Sequence, residues 1–253
     1  MNVAQIVRQR IEKYDDTEPI LFKEIIYDMD EHKSAAYVAF NRMVNDKVIE
    51  QFRKGIYYKP KRTKFGIIQI DKKKLVKKKY IDGDKQVTGY ITGPELWNQW
   101  GLTTQIPRRV WIAQNIRQKR VDEDLDVLLV KAKGTINIEN IKALQYLDVI
   151  DQLNMIPDTN INISSNKMIE IFKNNFNEEG KVIILEEAKK YNKRVQVLVG
   201  LIAEEADIDD LYFKTYLKYY RLAVAKGKKI ILEVKPEVFK NNRTWGNGYA
   251  ITQ

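Results

Sequence analysis

The chain has 253 residues, 44% of them hydrophobic, and a formal net charge of +10. This length suggests two domains, and the hydrophobic content can bury a core, which excludes wholesale disorder. Cysteine is absent and His32 is the single histidine, so disulfides, thiol catalysis and most zinc sites are excluded. Neither a signal-peptide-like start nor a run of about 18 apolar residues is found, so we expect a soluble, cytoplasmic protein that contacts no membrane.

The positive charge is concentrated in one part of the chain. Residues 33–85 carry 16 basic and 5 acidic side chains, and residues 86–120 carry 5 and 1. Residues 1–32 and 121–253 have net charges of −4 and −1. A basic zone in a near-neutral chain attracts polyanions, and nucleic acid is the commonest of these. The alternative is a solvated basic surface that only favours solubility.

Three short helices are predicted in the first 46 residues. Residues 3–14 place apolar side chains on one helical face, and Thr17 is positioned to cap a second helix, EPILFKEII. Ser34 is positioned to cap a third, SAAYVAFNRMVND. The apolar stripe of this third helix consists of Ala36, Ala39, Phe40 and Met43. Its opposite face carries Tyr37, Asn41 and Arg42.

A β-hairpin follows these helices. The segment KVIEQFRKGIYYKP predicts two short strands that turn near Lys54 and Gly55. The side chains expected to pack onto the helices are Val48, Ile49, Phe52, Ile56 and one of Tyr57 and Tyr58. Three helices and a hairpin are the layout of a winged helix-turn-helix, whose third helix enters the major groove of DNA. The alternative is a small helical domain that binds a protein.

The candidate DNA contacts all come from this first region. Asn and Arg side chains on the third helix can form bidentate contacts to adenine and guanine. Basic side chains in and after the hairpin, with no acidic residue among them, suit contacts to phosphates. The candidate DNA-binding residues are Ser34, Tyr37, Asn41, Arg42, Arg53, Lys54, Lys59, Lys61 and Arg62.

The next region mixes helices and strands. KPKRTKFG is interpreted as a basic link, and IDKKKLVKKKYI as a helix that turns Leu75, Val76 and Ile81 inward. VTGYIT predicts a strand, and the spacing from Thr92 to Glu95 predicts a capping box for the helix PELWNQW. RRVWIAQNI and LDVLLVKA predict two further strands. A second group of basic residues flanks the first of these strands, namely Arg108, Arg109, Arg117, Lys119 and Arg120.

Helices are predicted from about Glu139 onward, with Asp207 capping the last, and a strand is predicted over residues 228–236. Trp245 is expected to fold the turn-rich end back onto the body. The predicted fold is α+β and mainly helical. It comprises a winged helix-turn-helix domain over residues 1–65 and a second domain over 66–253, mixed α/β over 66–135 and helical over 136–253.

No catalytic set, metal site or cofactor motif is evident in the sequence. TGYITG lacks the spacing of a phosphate-binding loop. Asp122, Asp124 and Asp126 would share one side of a strand and could hold Mg²⁺, but an acidic loop is the plainer interpretation. The sequence therefore predicts a protein that is not an enzyme and needs no cofactor. A metal-dependent nuclease or a nucleic-acid-processing subunit is the enzymatic alternative.

Several blocks of the sequence resemble the AbiEi-type antitoxins of bacterial type IV toxin–antitoxin and abortive-infection systems, and within them the shorter AbiEi-like branch. The strongest resemblance lies in AFNRMVNDKVIEQFRKGIYYKPK and GYITGPELWNQWGLTTQIPRRVWIA, within residues 34–113. RVQVLVGLIAEE and the terminal NRTWG are weaker matches.

This resemblance implies a non-enzymatic antitoxin. Its recognition helix would be Ser34–Asp46 and its wing Val48–Lys59, and they would bind inverted repeats in the protein's own promoter, an arrangement that suits a homodimer on DNA. The C-terminal half would counteract a nucleotidyltransferase-fold toxin. The alternative is a winged-helix transcriptional regulator whose helical domain senses a ligand or partner.

Overall fold

The chain forms two compact units, Met1–Lys79 and Tyr80–Gln253. The computed structural model describes residues 2–83, 86–225, 232, 234, 235, 237–240 and 245. The protein is α+β and about half helical with small mixed sheets, and N-terminal helices and strands precede a helical C-terminal region. Among the described residues, no helix combines the length and the apolar composition that crossing a bilayer requires.

The first unit combines short helices with two small sheets. Its helices are α1 (Val3–Glu12), α2 (Phe22–Ile25), α3 (Lys33–Asn45) and α4 (Lys72–Tyr80), the last of which ends at the first residue of the second unit. Its strands are β1 (Ile20–Leu21), β2 (Glu50–Arg53), β3 (Ile56–Tyr58), β4 (Lys61–Thr63) and β5 (Gly66–Ile68). β1, β3 and β2 form an antiparallel sheet in that order, and β4 pairs with β5 alone.

The core of the first unit is built around the apolar stripe of α3. Ala36, Ala39, Phe40 and Met43 are all buried, which confirms the predicted stripe. The ring of Phe40 lies 5.0 Å from that of Phe22 and 4.7 Å from that of Tyr57, measured between centroids. This aromatic cluster joins α2, α3 and β3, and its offset geometries are those that aromatic pairs prefer.

The second predicted helix is shorter than expected because its first apolar residues belong to a strand. Ile20 and Leu21 pair with Tyr57 and Ile56 of β3, so α2 begins only at Phe22. The predicted caps are also wrong. Thr17 has a φ of 65° and lies outside the helix. Ser34 lies inside α3, whose N-cap residue is His32.

The hairpin β2–β3 turns at Lys54 and Gly55 as predicted, and Gly55 has a φ of 77°, which favours glycine. Both tyrosines of β3 are buried, where one was expected, because β3 is the central strand of the sheet. The Tyr58 hydroxyl donates to Glu50 across the hairpin at 2.7 Å. Ile49 and Ile56 are buried and Phe52 half-buried, whereas Val48 is 43% exposed, contrary to the prediction.

The segment predicted as a basic link forms the second hairpin, β4–β5. Both of its ends are tied to Thr17, whose N–H donates to the Lys59 carbonyl at 2.8 Å and whose carbonyl accepts from the Asp71 N–H at 2.9 Å. α4 then returns the chain to the body, with Leu75 and Val76 buried as predicted. The left-handed conformation of Thr17 therefore serves the base of this hairpin.

The second unit packs helices onto a four-stranded sheet. Its strands are β6 (Gly89–Thr92), β7 (Val110–Gln114), β8 (Arg120–Asp122) and β9 (Val127–Lys131), ordered β6-β7-β9-β8 with only β7 and β9 parallel. Its helices are α5 (Pro94–Gln99), α6 (Ile141–Gln152), α7 (Ile161–Asn175), α8 (Glu178–Ala188), α9 (Lys193–Glu205) and α10 (Leu211–Ala225). α9 is buried on most of its surface and packs against α6, α7, α8 and α10, as a central helix does.

Two of the caps predicted in this unit are wrong. The cap of α5 is Gly93, with a φ of 67°, and a Cβ there would lie 2.6 Å from the Trp111 ring. At the start of α10, the Asp210 side chain accepts from the Phe213 N–H at 2.6 Å, whereas Asp207 has a φ of 47°. In both cases the cap is a residue near the predicted one, and helical spacing alone leaves this choice open.

A buried carboxyl joins the sheet of the second unit to its helices. Asp148 of α6 accepts hydrogen bonds from Tyr191 at 2.7 Å, from Thr92 at 2.9 Å and from Tyr90 at 3.0 Å. The Thr92 hydroxyl is therefore bonded to Asp148 and does not cap α5. Burial raises the pKa of Asp148 above its ordinary value of 3.8, although the three hydroxyl donors oppose this effect.

We expect this raised pKa to make the stability of the second unit depend on pH. The folded state favours the protonated carboxyl of Asp148. The contribution of this carboxyl to the free energy of unfolding is therefore fully present below its unfolded pKa of 3.8, and it is lost as pH rises through its folded pKa. The stability of Asp148→Asn relative to wild type should therefore increase with pH. All four tryptophans lie in this unit, so tryptophan fluorescence during urea unfolding measures its stability.

The control is Asp209→Asn. Asp209 is exposed, and a hydrogen bond from Lys214 lowers its pKa. The stability of this variant relative to wild type should decrease with pH, the opposite direction. A difference between Asp148→Asn and wild type that stays constant from acidic to neutral pH would contradict the prediction.

Trp245 packs into the second unit, as predicted for the end of the chain. It is buried, and its indole N–H donates to Glu204 of α9. Its ring occupies the position that a Cβ on Gly200 would take. The strand predicted over residues 228–236 lies mostly outside the described residues, as does the rest of the turn-rich segment over 241–253.

Gly200→Ala should therefore destabilise the second unit. Helix propensity alone predicts that this substitution increases the free energy of unfolding by about 0.5–1 kcal/mol. Overpacking against the Trp245 ring should instead give a net loss of about 1–3 kcal/mol in the free energy of unfolding. In a Trp245→Ala background the same substitution should become neutral or stabilising. An equal effect in both backgrounds, measured by urea unfolding followed by circular dichroism, would refute this account.

Candidate nucleic-acid interface

The outward surface of α3 is centred on Asn41. Residues opposite the buried stripe are Ser34, Val38, Asn41 and Asn45, and all four are exposed. Successive residues are about 100° apart around a helix, so Tyr37 and Arg42 lie about 140° apart, on the two flanks of this surface. The structure thus spreads the predicted contact residues of α3 over a wide arc.

Tyr37 lies on the flank beside α2. Its ring stacks on that of Phe22 with centroids 4.0 Å apart, and the residue is 39% exposed. One ring face is therefore committed to packing, and the remaining edge and hydroxyl group are the parts that could meet a ligand. This contact also ties the orientation of α3 to that of α2.

Arg42 lies on the flank beside α1. It lines a surface depression of 210 Å³ together with Ala4, Gln5 and Arg8 of α1 and Asp46. Within the part of the chain that the structure describes, neither Arg8 nor Arg42 forms an ion pair with an acidic side chain. Two guanidinium groups at the edge of α3 are available to an anionic ligand such as a phosphate.

The basic residues around the first hairpin differ in how far they are already engaged. Lys54 is exposed at the turn, which is held near α2 because the Phe22 N–H donates to the Gly55 carbonyl at 2.9 Å. Arg53 is half-buried, with its guanidinium 5.8 Å from the Phe52 ring centroid. Lys59 is half-buried and donates to the Glu12 carbonyl at 3.4 Å. Lys54 is thus the most accessible of the three.

The second hairpin is exposed along its whole length. Lys61 pairs with Ile68, Arg62 with Ile67 and Thr63 with Gly66, so each face of the ribbon carries one basic and one apolar side chain. The Thr63 hydroxyl closes the turn by donating to the Gly66 carbonyl at 2.9 Å and accepting from the Phe65 N–H at 3.2 Å. Lys61 and Arg62 are therefore more accessible than Arg53 and Lys59.

The charge of this region is uninterrupted. Residues 51–70 contain six basic side chains and no acidic one. Such a segment attracts phosphates at long range and gains affinity by releasing the counterions that surround nucleic acid. The electrostatics therefore favour a polyanion as the partner of this side of the unit.

Four exposed residues in this region were missed by the sequence analysis, namely Val38, Asn45, Lys64 and Phe65. Counting about 100° per residue from Asn41 would have found the first two. The glycine in TKFG is a turn signal that would have placed Lys64 and Phe65 at a hairpin tip. In the structure Gly66 has a φ of 124°, which favours glycine.

The basic residues at 108–120 belong to the second unit. Arg109 is paired with Glu123, and the Lys119 ammonium lies 6.0 Å from the Trp111 ring centroid. A cavity of 450 Å³ is lined by residues that include Trp97, Trp111, Arg108, Arg109 and Met155. This site is aromatic and basic, and it lies within one unit.

The three aspartates considered for Mg²⁺ fall on different local structures. Asp122 ends β8, Asp124 lies in a single 3₁₀ turn, and Asp126 has a φ of 51°. They therefore do not share one side of a strand. Among the described residues, no group of three or more His, Cys, Asp or Glu side chains could hold a metal ion.

No family model matches this chain, and no curated protein or solved structure matches it either. The expectation from the resemblance to AbiEi-type antitoxins therefore remains a proposal.

If α3 binds DNA, its flanks and its centre should contribute differently to the affinity. Asn41→Ala should weaken binding to the DNA upstream of the protein's own gene by about 1–3 kcal/mol and leave binding to scrambled DNA nearly unchanged. Arg42→Ala should weaken both, and should flatten the slope of log affinity against log salt by about one unit, as the loss of one phosphate contact at the edge of α3 would do. Fluorescence anisotropy at several salt concentrations measures both quantities.

Lys167→Ala is the charge-matched control, since it removes one exposed positive charge from the second unit. It should change neither affinity nor slope. Equal losses for Asn41→Ala on both DNAs would show that α3 does not read bases through this residue.

Proposed function

We propose that the first unit is a winged helix-turn-helix domain that binds double-stranded DNA, with α3 in the major groove. The observation that carries this proposal is the order α1-β1-α2-α3-β2-β3, in which β1 closes the sheet onto the hairpin. This order buries one stripe of α3 and leaves Ser34, Val38 and Asn41 exposed. Winged helices present their third helix to the major groove in this way.

The distribution of charge supports the same proposal. The basic residues follow α3 directly in the chain, and Lys54, Lys61 and Arg62 are exposed. These side chains would contact phosphates and fix the register of the domain, while Asn41 reads bases. Arg53 and Lys59 would contribute mainly to the potential around the domain, because both are half-buried.

We propose further that the protein is an antitoxin that represses its own promoter and counteracts a nucleotidyltransferase-like toxin through the second unit. The resemblance of residues 34–113 to AbiEi-type antitoxins supports this proposal, and the division into two compact units suits two separate tasks. Inverted repeats in the promoter would be bound by a homodimer. The protein would have no catalytic activity of its own.

One observation favours the alternative, a transcriptional regulator with a sensing domain. The cavity beside Trp97 and Trp111 is 450 Å³ in volume, which lies within the range of small-molecule sites. A small aromatic anion would suit two indole rings and Arg108, whereas Arg109 is already paired with Glu123. In this alternative, a ligand in the second unit would change the affinity of the first unit for DNA.

The antitoxin proposal predicts two separable activities in the full-length chain. Cells that express the product of the neighbouring gene alone should stop growing, and co-expression of this protein should restore growth. The double variant Asn41→Ala/Arg42→Ala should still restore growth, but should lose repression of a reporter placed behind the protein's own promoter. Growth curves and reporter fluorescence measure the two activities in one strain.

The Lys167→Ala variant again serves as the control and should retain both activities. Failure of the wild-type protein to restore growth, with repression intact, would exclude the antitoxin proposal and favour the regulator. A double variant that is folded but loses the rescue as well would place toxin neutralisation in the DNA-binding unit.

A further inference from the structure

We propose that the β4–β5 hairpin is a second DNA-contacting element, which inserts Phe65 between base pairs in the minor groove and bends the duplex. Phe65 lies at the tip of the hairpin and its relative exposure is 101%. It is the most exposed of the large apolar side chains among the described residues, and phenylalanine is one of the side chains that DNA-bending proteins wedge between base steps. The tip is flanked by Lys64 and by the basic strand that carries Lys61 and Arg62.

The hairpin is held rigidly at its base, as an inserting element must be. The Thr17 N–H donates to the Lys59 carbonyl at 2.8 Å, and the Thr17 carbonyl accepts from the Asp71 N–H at 2.9 Å. Lys78 of α4 fixes the return of the chain by pairing with Glu24 at 2.7 Å and donating to the Pro19 carbonyl at 3.1 Å. The base of the hairpin is therefore joined to the rest of the first unit before any ligand binds.

The dimensions of the hairpin suit a wedge at its tip. Four residues from Lys61 to the turn span about 13 Å at about 3.3 Å per residue in a strand. The minor groove is about 6 Å wide and 7.5 Å deep, so it admits the Phe65 ring while the ribbon stays outside. Insertion of Phe, Leu or Ile at a base step unstacks it and kinks the duplex by about 20–90°.

The positive charge of the hairpin favours DNA as its ligand. Lys64 lies beside Phe65 in the turn, Arg62 and Lys61 lie farther back along β4, and no acidic residue lies between positions 51 and 70. Lysine and arginine beside an inserted side chain can contact the phosphates on both sides of the minor groove. An anionic lipid surface is the other polyanion that would accept a basic, apolar tip, and the experiment below separates the two.

This inference rests on the proposed DNA-binding function of the first unit. The test uses the full-length chain and a short duplex from upstream of its gene, labelled at its ends with a fluorescence donor and acceptor. Wild type should increase energy transfer on binding, because a bend brings the ends together. Phe65→Ala should bind about tenfold more weakly, with no increase in energy transfer and an unchanged salt slope. Phe65→Leu should retain part of the bend.

Leu211→Ala is the matched control, since Leu211 is a similarly exposed apolar residue in the second unit, and it should behave as wild type. The double variant Lys61→Ala/Arg62→Ala should flatten the salt slope by about two units, which identifies phosphate contacts by the same hairpin. Thermal unfolding of each variant checks that the fold is retained.

Phe65→Ala that bends the duplex as wild type does would overturn the inference. If Asn41→Ala weakens binding at the same time, the proposed function stands while the hairpin inference fails. A wild-type protein that binds no duplex would overturn both. Loss of binding to phosphatidylserine vesicles by Phe65→Ala, with DNA bending unchanged, would assign the hairpin to a lipid surface and also overturn the inference.

Discussion

The pairing of β1 with β3 is the interaction on which the first unit depends. Two residues, Ile20 and Leu21, connect the helical part of the unit to the hairpin that follows α3. Phe22, which follows β1, packs against Phe40, and Phe40 packs against Tyr57 of β3, so the sheet and α3 share one aromatic core. The side of α3 that faces outward is therefore set by strand pairing behind it, which makes the proposed reading surface a consequence of the core.

The same region uses an unfavourable backbone conformation to position the second hairpin. A non-glycine residue with positive φ is uncommon, and Thr17 adopts one where its N–H and carbonyl serve the two ends of β4–β5. The surrounding hydrogen bonds compensate for this local strain. The exposed, basic hairpin is thus part of the folded unit, and its charge is presented at a fixed place.

The second unit follows a different principle, in which a buried polar group specifies the packing. Asp148 collects three hydroxyl donors from β6 and from the loop before α9, so the sheet and the helices must meet in one register. A buried carboxyl with fewer partners would be costly, since desolvation already raises its pKa. The aromatic and basic cavity beside Trp97 lies in this same unit.

The sequence by itself determined the α+β composition, the buried stripe of α3, the turn at Gly55 and the helical nature of the C-terminal region. These features follow from local periodicity and turn chemistry, which act over a few residues. Only the tertiary structure decided that Ile20 and Leu21 form a strand, that Tyr58 is buried, that Thr92 binds Asp148 and that KPKRTKFG forms a hairpin. The first three depend on a partner distant in the chain, and such pairing overrides local preference because a backbone or buried polar group must find its hydrogen bond wherever the fold supplies one. The hairpin pairs locally, but its two ends are held by the backbone of Thr17.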